Sequence, residues 1–281
     1  MISITWTERQ PAGDVNQSWQ SVASDSDGSN LIVGSYTPGR LWTSSNSGVS
    51  WTERRPAGDF DKAWMCVASD SDGSVLVACE GANTWVSTDS GANWTNVSPA
   101  DGYTVRAIAS DSDGSNLIMG NEQKLYTSSN SGTNWTERQP AGAGVDKFWY
   151  TVASDSDGSN LIAGEASSGG TLTGRLWTSS DSGVNWTERQ PAGNNDKYWK
   201  ATASNSDGTV LVAGIDGAGG RLYVSFNSGV NWAETQPVGS VDKVWNFTSS
   251  DDDGSNLIIG NSSRLYTGIG VSVFKPNIII T

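Results

Sequence analysis

Along the chain, short apolar runs alternate with polar, glycine-rich stretches, and the same order of runs keeps returning. One unit, "WQSVASDSDGSNLIVGSYTPGRLWTSSNSGVSWTERRPAGD", runs from Trp19 to Asp59. Within it "WQSVAS", "NLIVG", "GRLWTSS" and "VSWTERR" each have the length of a strand, and Gly, Asp, Asn and Pro separate them. No window sustains a 3.6-residue apolar period, so helices are not expected. The polar word "SDSDG" marks the repeat, its first position falling at Asp25, Asp70, Asp111, Asp155, Asn205 and Asp251. These are spaced 45, 41, 44, 50 and 46 residues apart. A period of about 40–50 residues fits a propeller or a helical solenoid, and strand-length runs select the propeller.

The expectation is an all-β, six-bladed β-propeller with four antiparallel strands per blade. Blades are placed near residues 19–54, 64–97, 103–138, 149–189, 199–235 and 245–267. The sixth unit lacks the "WTERQPAG" ending of the others, and "SITWTERQPAG" stands at the N-terminus instead. Residues 2–9 are therefore expected to supply the outer strand of the last blade, a velcro closure that removes two free sheet edges. One domain then covers residues 1–270, and residues 271–281 form a tail or an extra edge strand.

Composition narrows the function. The chain has 281 residues, a formal charge of −13, 14 Trp, 33 Gly and no His. So many aromatics argue against disorder, and the acidity argues against nucleic acid or an anionic membrane as partner. No stretch approaches the ~20 apolar residues of a membrane span, and "MISITWTERQ" carries no signal-peptide pattern. An extracellular or surface-associated position within a longer chain is favoured, as is a monomer. The missing His removes the commonest general base and metal ligand. Cys66 and Cys79 occur in one repeat only and are read as free thiols. The "SDSDG" carboxylates invite a calcium reading, but an EF-hand loop needs ligands over 12 residues ending in a bidentate Glu, and "SNLIVG" follows here. A hairpin turn is expected, with no metal and no cofactor.

The turn before each Trp strand reads "SNSGVSW" (45–51), "TDSGANW" (88–94), "SNSGTNW" (129–135), "SDSGVNW" (180–186) and "FNSGVNW" (226–232). It resembles the Asp-box, or BNR repeat, of sialidases, sortilin-type receptors, photosystem II assembly factors and propeller lectins. Asn replaces Asp at 46, 130 and 227, which a turn tolerates. The resemblance implies a propeller in which the box joins the third and fourth strands, its Gly at positive φ and its Trp packed into the blade. It does not bring a sialidase site. The arginines sit in repeat-equivalent places, and the sialidase Arg-Ile-Pro motif is absent.

Binding remains the favoured reading. The loops leading into the innermost strands read Asp61-Lys62-Ala63-Trp64, Asp146-Lys147-Phe148-Trp149, Asp196-Lys197-Tyr198-Trp199 and Asp242-Lys243-Val244-Trp245. On the same face, the loops between second and third strands differ most, and some end in Arg40, Arg175 or Arg221. The residue after each Trp also varies: Gln20, Met65, Tyr150, Lys200 and Asn246, with Arg106 in the third blade. Variation gathered on one face is how loop-borne function presents itself. Asp, Lys and Trp together suit a sugar, the indole stacking on pyranose C–H groups and the charges meeting hydroxyls. The bland alternative is that each Trp wedges between blades. The expected function is a non-catalytic module for multivalent carbohydrate recognition or adhesion. A protein-interaction scaffold is the alternative, and a sialidase-like glycoside hydrolase comes third.

Overall fold

The computed structural model describes residues 7–36, 39–166, 174–217, 220–235, 237, 243–261 and 264–269. Residues 2–6 of the expected closing strand, Asp242 and the tail 271–281 lie outside the described residues. The first blade consists of β1 (Trp19–Ser24), β2 (Leu31–Ser35), β3 (Leu41–Ser44) and β4 (Thr52–Arg54). They pair antiparallel in the order β1-β2-β3-β4. Four more sheets repeat this order. The sixth has three strands among the described residues, Phe247–Ser250, Asn256–Gly260 and Leu265–Ile269. The molecule is a six-bladed all-β propeller.

A four-stranded sheet cannot bury both faces alone, so the core lies between blades. Ile32 and Leu41 of the first blade meet Trp64, Val67, Leu76 and Ala78 of the second. Ile162 and Leu176 of the fourth meet Trp199, Leu211, Ala213 and Tyr223 of the fifth in the same way. Glycine makes room for the indoles. A Cβ on Gly34, Gly120, Gly164 or Gly214 would stand 2.7–2.8 Å from the Cβ of Trp64, Trp149, Trp199 or Trp245 respectively.

The "SDSDG" turns serve both their own blade and the ring. Asp25 Oδ2 accepts from the Asn30 amide at 3.0 Å and the Ser29 hydroxyl at 2.9 Å, while Asp27 Oδ1 accepts from the Ser29 amide at 2.8 Å. Gly28 takes φ +74°, which favours glycine. The middle serines then link blade to blade. Ser26 N–H donates to the Ser71 carbonyl, Ser71 to Ser112, Ser112 to Ser156, and Ser156 to Ser206, each at 2.9 Å. Ser206 N–H donates to the Asp252 carbonyl at 3.0 Å. These turns surround a cavity of about 700 Å³ at one mouth of the central channel.

In the turn before β4, Ser44 Oγ accepts from the Gly48 amide at 3.0 Å and Asn46 Oδ1 from the Ser50 amide at 2.8 Å. Trp51 Nε1 donates back to the Gly48 carbonyl at 3.0 Å. The expected positive φ at Gly48 is present at +76°, and Ser47 shares it at +54°. Ser90, Ser131, Ser182 and Ser228 repeat that left-handed serine, a cost met by the side-chain bonds that close the turn.

The junction of blades six and one differs from the others. Val22 is 70% exposed where its equivalent Val67 is 7% exposed, and Trp19 and Leu265 are also open to solvent. Residues 7–9, the described part of the expected closing strand, are not in a strand, and no described residue pairs with the outer edge of the sixth sheet. Glu8, Arg9 and Gln10 line one cavity with Gly48–Trp51. Arg9 lies against Gly48 as Arg54 lies against Gly91 of the next blade, the place a fourth strand of the preceding blade would give it. Cys66 and Cys79 are buried cross-strand neighbours and free. The Cys79 sulfur and burial push the Cys66 thiol well above its ordinary range.

Candidate functional site

The repeated lead-in motif turns out to stitch blades together. Trp64, Trp149, Trp199 and Trp245 are each only 2% exposed, so no sugar ring reaches their faces and the expected stacking on them is corrected. The bland alternative is what the sheet spacing demands: a flat indole fills the gap above a glycine. The amides of Lys62, Lys147, Lys197 and Lys243 donate to the carbonyls of Gly39, Gln123, Gly174 and Gly220 in the preceding blade, at 2.9–3.0 Å. A Cβ on Gly39, Gly174 or Gly220 would run into a lysine carbonyl, which explains the glycine of the "GR" pairs.

Four charges of the motif take part in ion pairs, two across blade boundaries and two within a blade. Asp61 pairs with Arg40 at 2.9 Å and Asp196 with Arg175 at 2.6 Å, each across a blade boundary. Arg221 pairs with Glu234 at 3.3 Å. Lys62 faces Glu80 at 4.0 Å. Lys147 reaches Glu165 at 3.3 Å, and that carboxylate, with no exposed surface, also accepts from Trp177 Nε1 at 2.6 Å. Burial pushes Glu165 above the usual carboxylate range, and Lys147 is the main influence drawing it back. Asp146 is exposed.

The departure from repetition lies one residue further on. In the first five blades the innermost strand bulges there, leaving Gln20, Met65, Arg106, Tyr150 and Lys200 out of the ladder. A bulge re-aims the side chain it carries. In blades three to five these side chains meet. Phe148 stacks with Tyr150 at 6.0 Å between ring centroids and 19° between planes. Tyr150 crosses to Tyr198 of the next blade at 5.3 Å. On the other side the Arg106 guanidinium sits 5.5 Å above the Phe148 ring, within cation–π range. Ion pairs flank the strip, Arg106 with Glu122 and Lys200 with Asp216, the latter at 2.8 Å. Burial and the neighbouring Tyr150 raise the Tyr198 phenol, so it stays a neutral donor.

All three rings are half-buried. A half-covered aromatic strip bordered by charged donors and acceptors can stack on an apolar ring face while hydrogen-bonding its rim. In the sequence, Arg106, Tyr150 and Lys200 stand out as variable positions, whereas Phe148 and Tyr198 carry no expected role. The signal was available: among four "DKxW" loops, only these two carry an aromatic residue at x, and they are consecutive blades.

A family profile described as the DUF6242 beta propeller domain matches residues 3–262. No curated protein sequence matches the chain. Among solved structures, the GH74 xyloglucanase from Xanthomonas campestris is similar with a TM-score of 0.71 at 18% identity, over 89% of this chain and 44% of that one. The Niastella koreensis GH74 enzyme gives 0.68 at 17%, over 91% and 46%. YCF48 from Cyanidioschyzon merolae gives 0.66 at 15%, over 92% and 84%. The chain thus spans less than half the length of the GH74 enzymes it resembles, and at these identities the likeness is one of fold.

Proposed function

The chain belongs to the DUF6242 beta-propeller domain family, and we propose that it is a non-catalytic module binding carbohydrate through the Phe148–Tyr150–Tyr198 strip. The observation that carries this reading is the strip itself, three half-buried rings from two adjacent blades on the variable face. Its ion-paired rim offers hydroxyl-bonding groups without a net charge excess, which suits a neutral saccharide. The multivalent form of the idea gives way to a single site, because the strip occurs once among the described residues.

Binding is preferred to hydrolysis on the state of the carboxylates. Glycoside cleavage uses two acids about 5–10 Å apart across the scissile bond. Glu122 and Asp216 are each closed by a cation, and Glu165 is sealed beneath Lys147. A protein partner is the second reading, favoured by the exposed Phe60 and Val145 just before the lead-in motifs. Glycan arrays separate the two. The wild type should bind a defined saccharide class and Tyr150→Ala/Tyr198→Ala should lose it, with Phe60→Ser unaffected. An array without signal at high protein density would remove the carbohydrate reading.

A further inference from the structure

On the opposite face, at the joints between blades, the fourth-strand arginines make a second kind of site. Arg54, Arg138 and Arg189 close the first, third and fourth blades. Each donates through Nε to a buried threonine of the neighbouring strand: Thr43 at 2.8 Å, Thr127 at 2.7 Å and Thr178 at 2.7 Å. That bond fixes the plane of the guanidinium. Among the described residues none of the three joins an ion pair, and none has a hydrogen-bond partner at Nη. In a chain of net charge −13, three half-buried cations without a carboxylate partner are unusual, since buried charge is normally paired.

Each guanidinium faces a small cavity at the joint with the next blade. The cavities measure about 60, 220 and 100 Å³ for Arg54, Arg138 and Arg189. That is well below the roughly 300–1,000 Å³ of ordinary small-molecule pockets. Their walls are rich in hydroxyls, such as Ser45, Ser50 and Ser90 around Arg54, and Ser129 and Ser182 around Arg138. No carboxylate lines those two cavities, whereas Asp181 touches the third. Asp89 and Asp181 act on Arg54 and Arg138 from a distance, but their oxygens are held by the amides of Asn93 and Asn185 at 2.7 Å. Burial lowers all three arginines, as expected of cations lacking a close partner.

The lining therefore offers fixed N–H donors and rotatable hydroxyls in a space the size of an ion. An arginine fork matches the oxygens of a carboxylate, sulfate or phosphate, and hydroxyls complete a tetrahedral shell better than a planar one. We propose that the joints closed by Arg54, Arg138 and Arg189 are binding sites for a small tetrahedral oxyanion, sulfate or phosphate, free or as the sulfate ester of a saccharide. The equivalent positions in the second and fifth blades are Val97 and Thr235, and those joints serve as internal controls. The proposal is independent of the aromatic strip on the other face.

The test is thermal unfolding of the full chain in sodium sulfate or phosphate against sodium chloride at equal ionic strength. Sulfate stabilises proteins generally by exclusion, so the comparison is with Arg54→Gln/Arg138→Gln/Arg189→Gln. The expected result is an extra rise in Tm in the wild type that sets in near about 1–10 mM, as one charge-assisted fork allows, grows with the logarithm of concentration above that, and is absent from the triple variant. Equal rises in both proteins would overturn the proposal. NMR of arginine Nε–Hε groups in the wild type covers the case in which the triple variant does not fold. Three cross-peaks, lost one by one in the single Arg→Lys variants, should move with sulfate and not with chloride. No movement overturns the proposal. Glucose 6-sulfate shifting these peaks where glucose does not would assign the ester, and a response to inorganic sulfate alone would assign the free ion.

Discussion

Lys147→Ala should destabilise the propeller far more than loss of a surface lysine. Its ammonium is 3.3 Å from Glu165, whose side chain is fully buried in the second strand of the fourth blade. Removing the lysine leaves that carboxylate with the Trp177 indole and the Arg175 amide, at 2.6 and 3.2 Å. Breaking a buried pair typically costs about 3–5 kcal/mol. Lys147 retains 30% of its side-chain exposure, so solvent screening lowers the expectation to about 2–3 kcal/mol. With an unfolding entropy of about 2.1 cal/mol/K per residue, Tm should fall by about 3–5 °C near neutral pH.

The pH dependence gives the sharper signature. Glu165 in the folded state already sits above the ordinary glutamate range, and losing Lys147 moves it further up. A carboxylate raised on folding favours the native state when protonated. Its contribution is complete below the unfolded value and disappears as pH rises through the folded one. The Lys147→Ala deficit should therefore shrink on acidification towards pH 4.5 and be largest above pH 7. Lys147→Ala/Glu165→Gln should recover most of the loss, because the amide still accepts from Trp177. Urea unfolding at pH 4.5 and 7.5 measures all three proteins. A loss within about 0.5 kcal/mol of wild type at pH 7.5, or one independent of pH, would refute the reasoning.

Other joints give independent expectations. Val67→Ala removes two buried methyl groups and should cost about 2–3 kcal/mol, whereas Val22→Ala, 70% exposed, should stay within about 0.5 kcal/mol; equal losses by urea unfolding would mean that the junction of blades six and one closes as tightly as the others. Gly120→Ala should cost about 1–3 kcal/mol by overpacking, because its Cβ would lie 2.7 Å from that of Trp149, and thermal unfolding reads it directly. Tyr150→Ala should leave Tm within a few degrees yet weaken glycan binding about five- to tenfold, on the order of one lost aromatic contact, as titration calorimetry would show.

Much of this architecture was legible in the chain. Six copies of "SDSDG" at a 41–50-residue spacing fixed the blade count, because each copy is one hairpin turn of one blade. The ring of Ser26, Ser71, Ser112, Ser156 and Ser206 amides was hidden, since backbone bonds between neighbouring turns leave no residue preference to read. The site was legible only in its location. "DKxW" looked like a ligand motif because Asp, Lys and Trp are what sugars use, and burial is a property of the neighbouring sheet. Gly34, Gly120, Gly164 and Gly214 record that burial in the sequence, but only once the blades are known to pack face to face. Arg106, Phe148, Tyr150 and Tyr198 come from three blades, so their meeting depends on the bulges and on the ring's curvature.

The stoichiometry of saccharide binding tests the central claim most directly. Titration calorimetry with the best oligosaccharide from the array should give one site per chain, abolished by Tyr150→Ala/Tyr198→Ala and retained in Lys62→Ala. Four or more equivalent sites per chain, or binding that survives loss of both tyrosines, would contradict the account and return the function to the repeated lead-in loops.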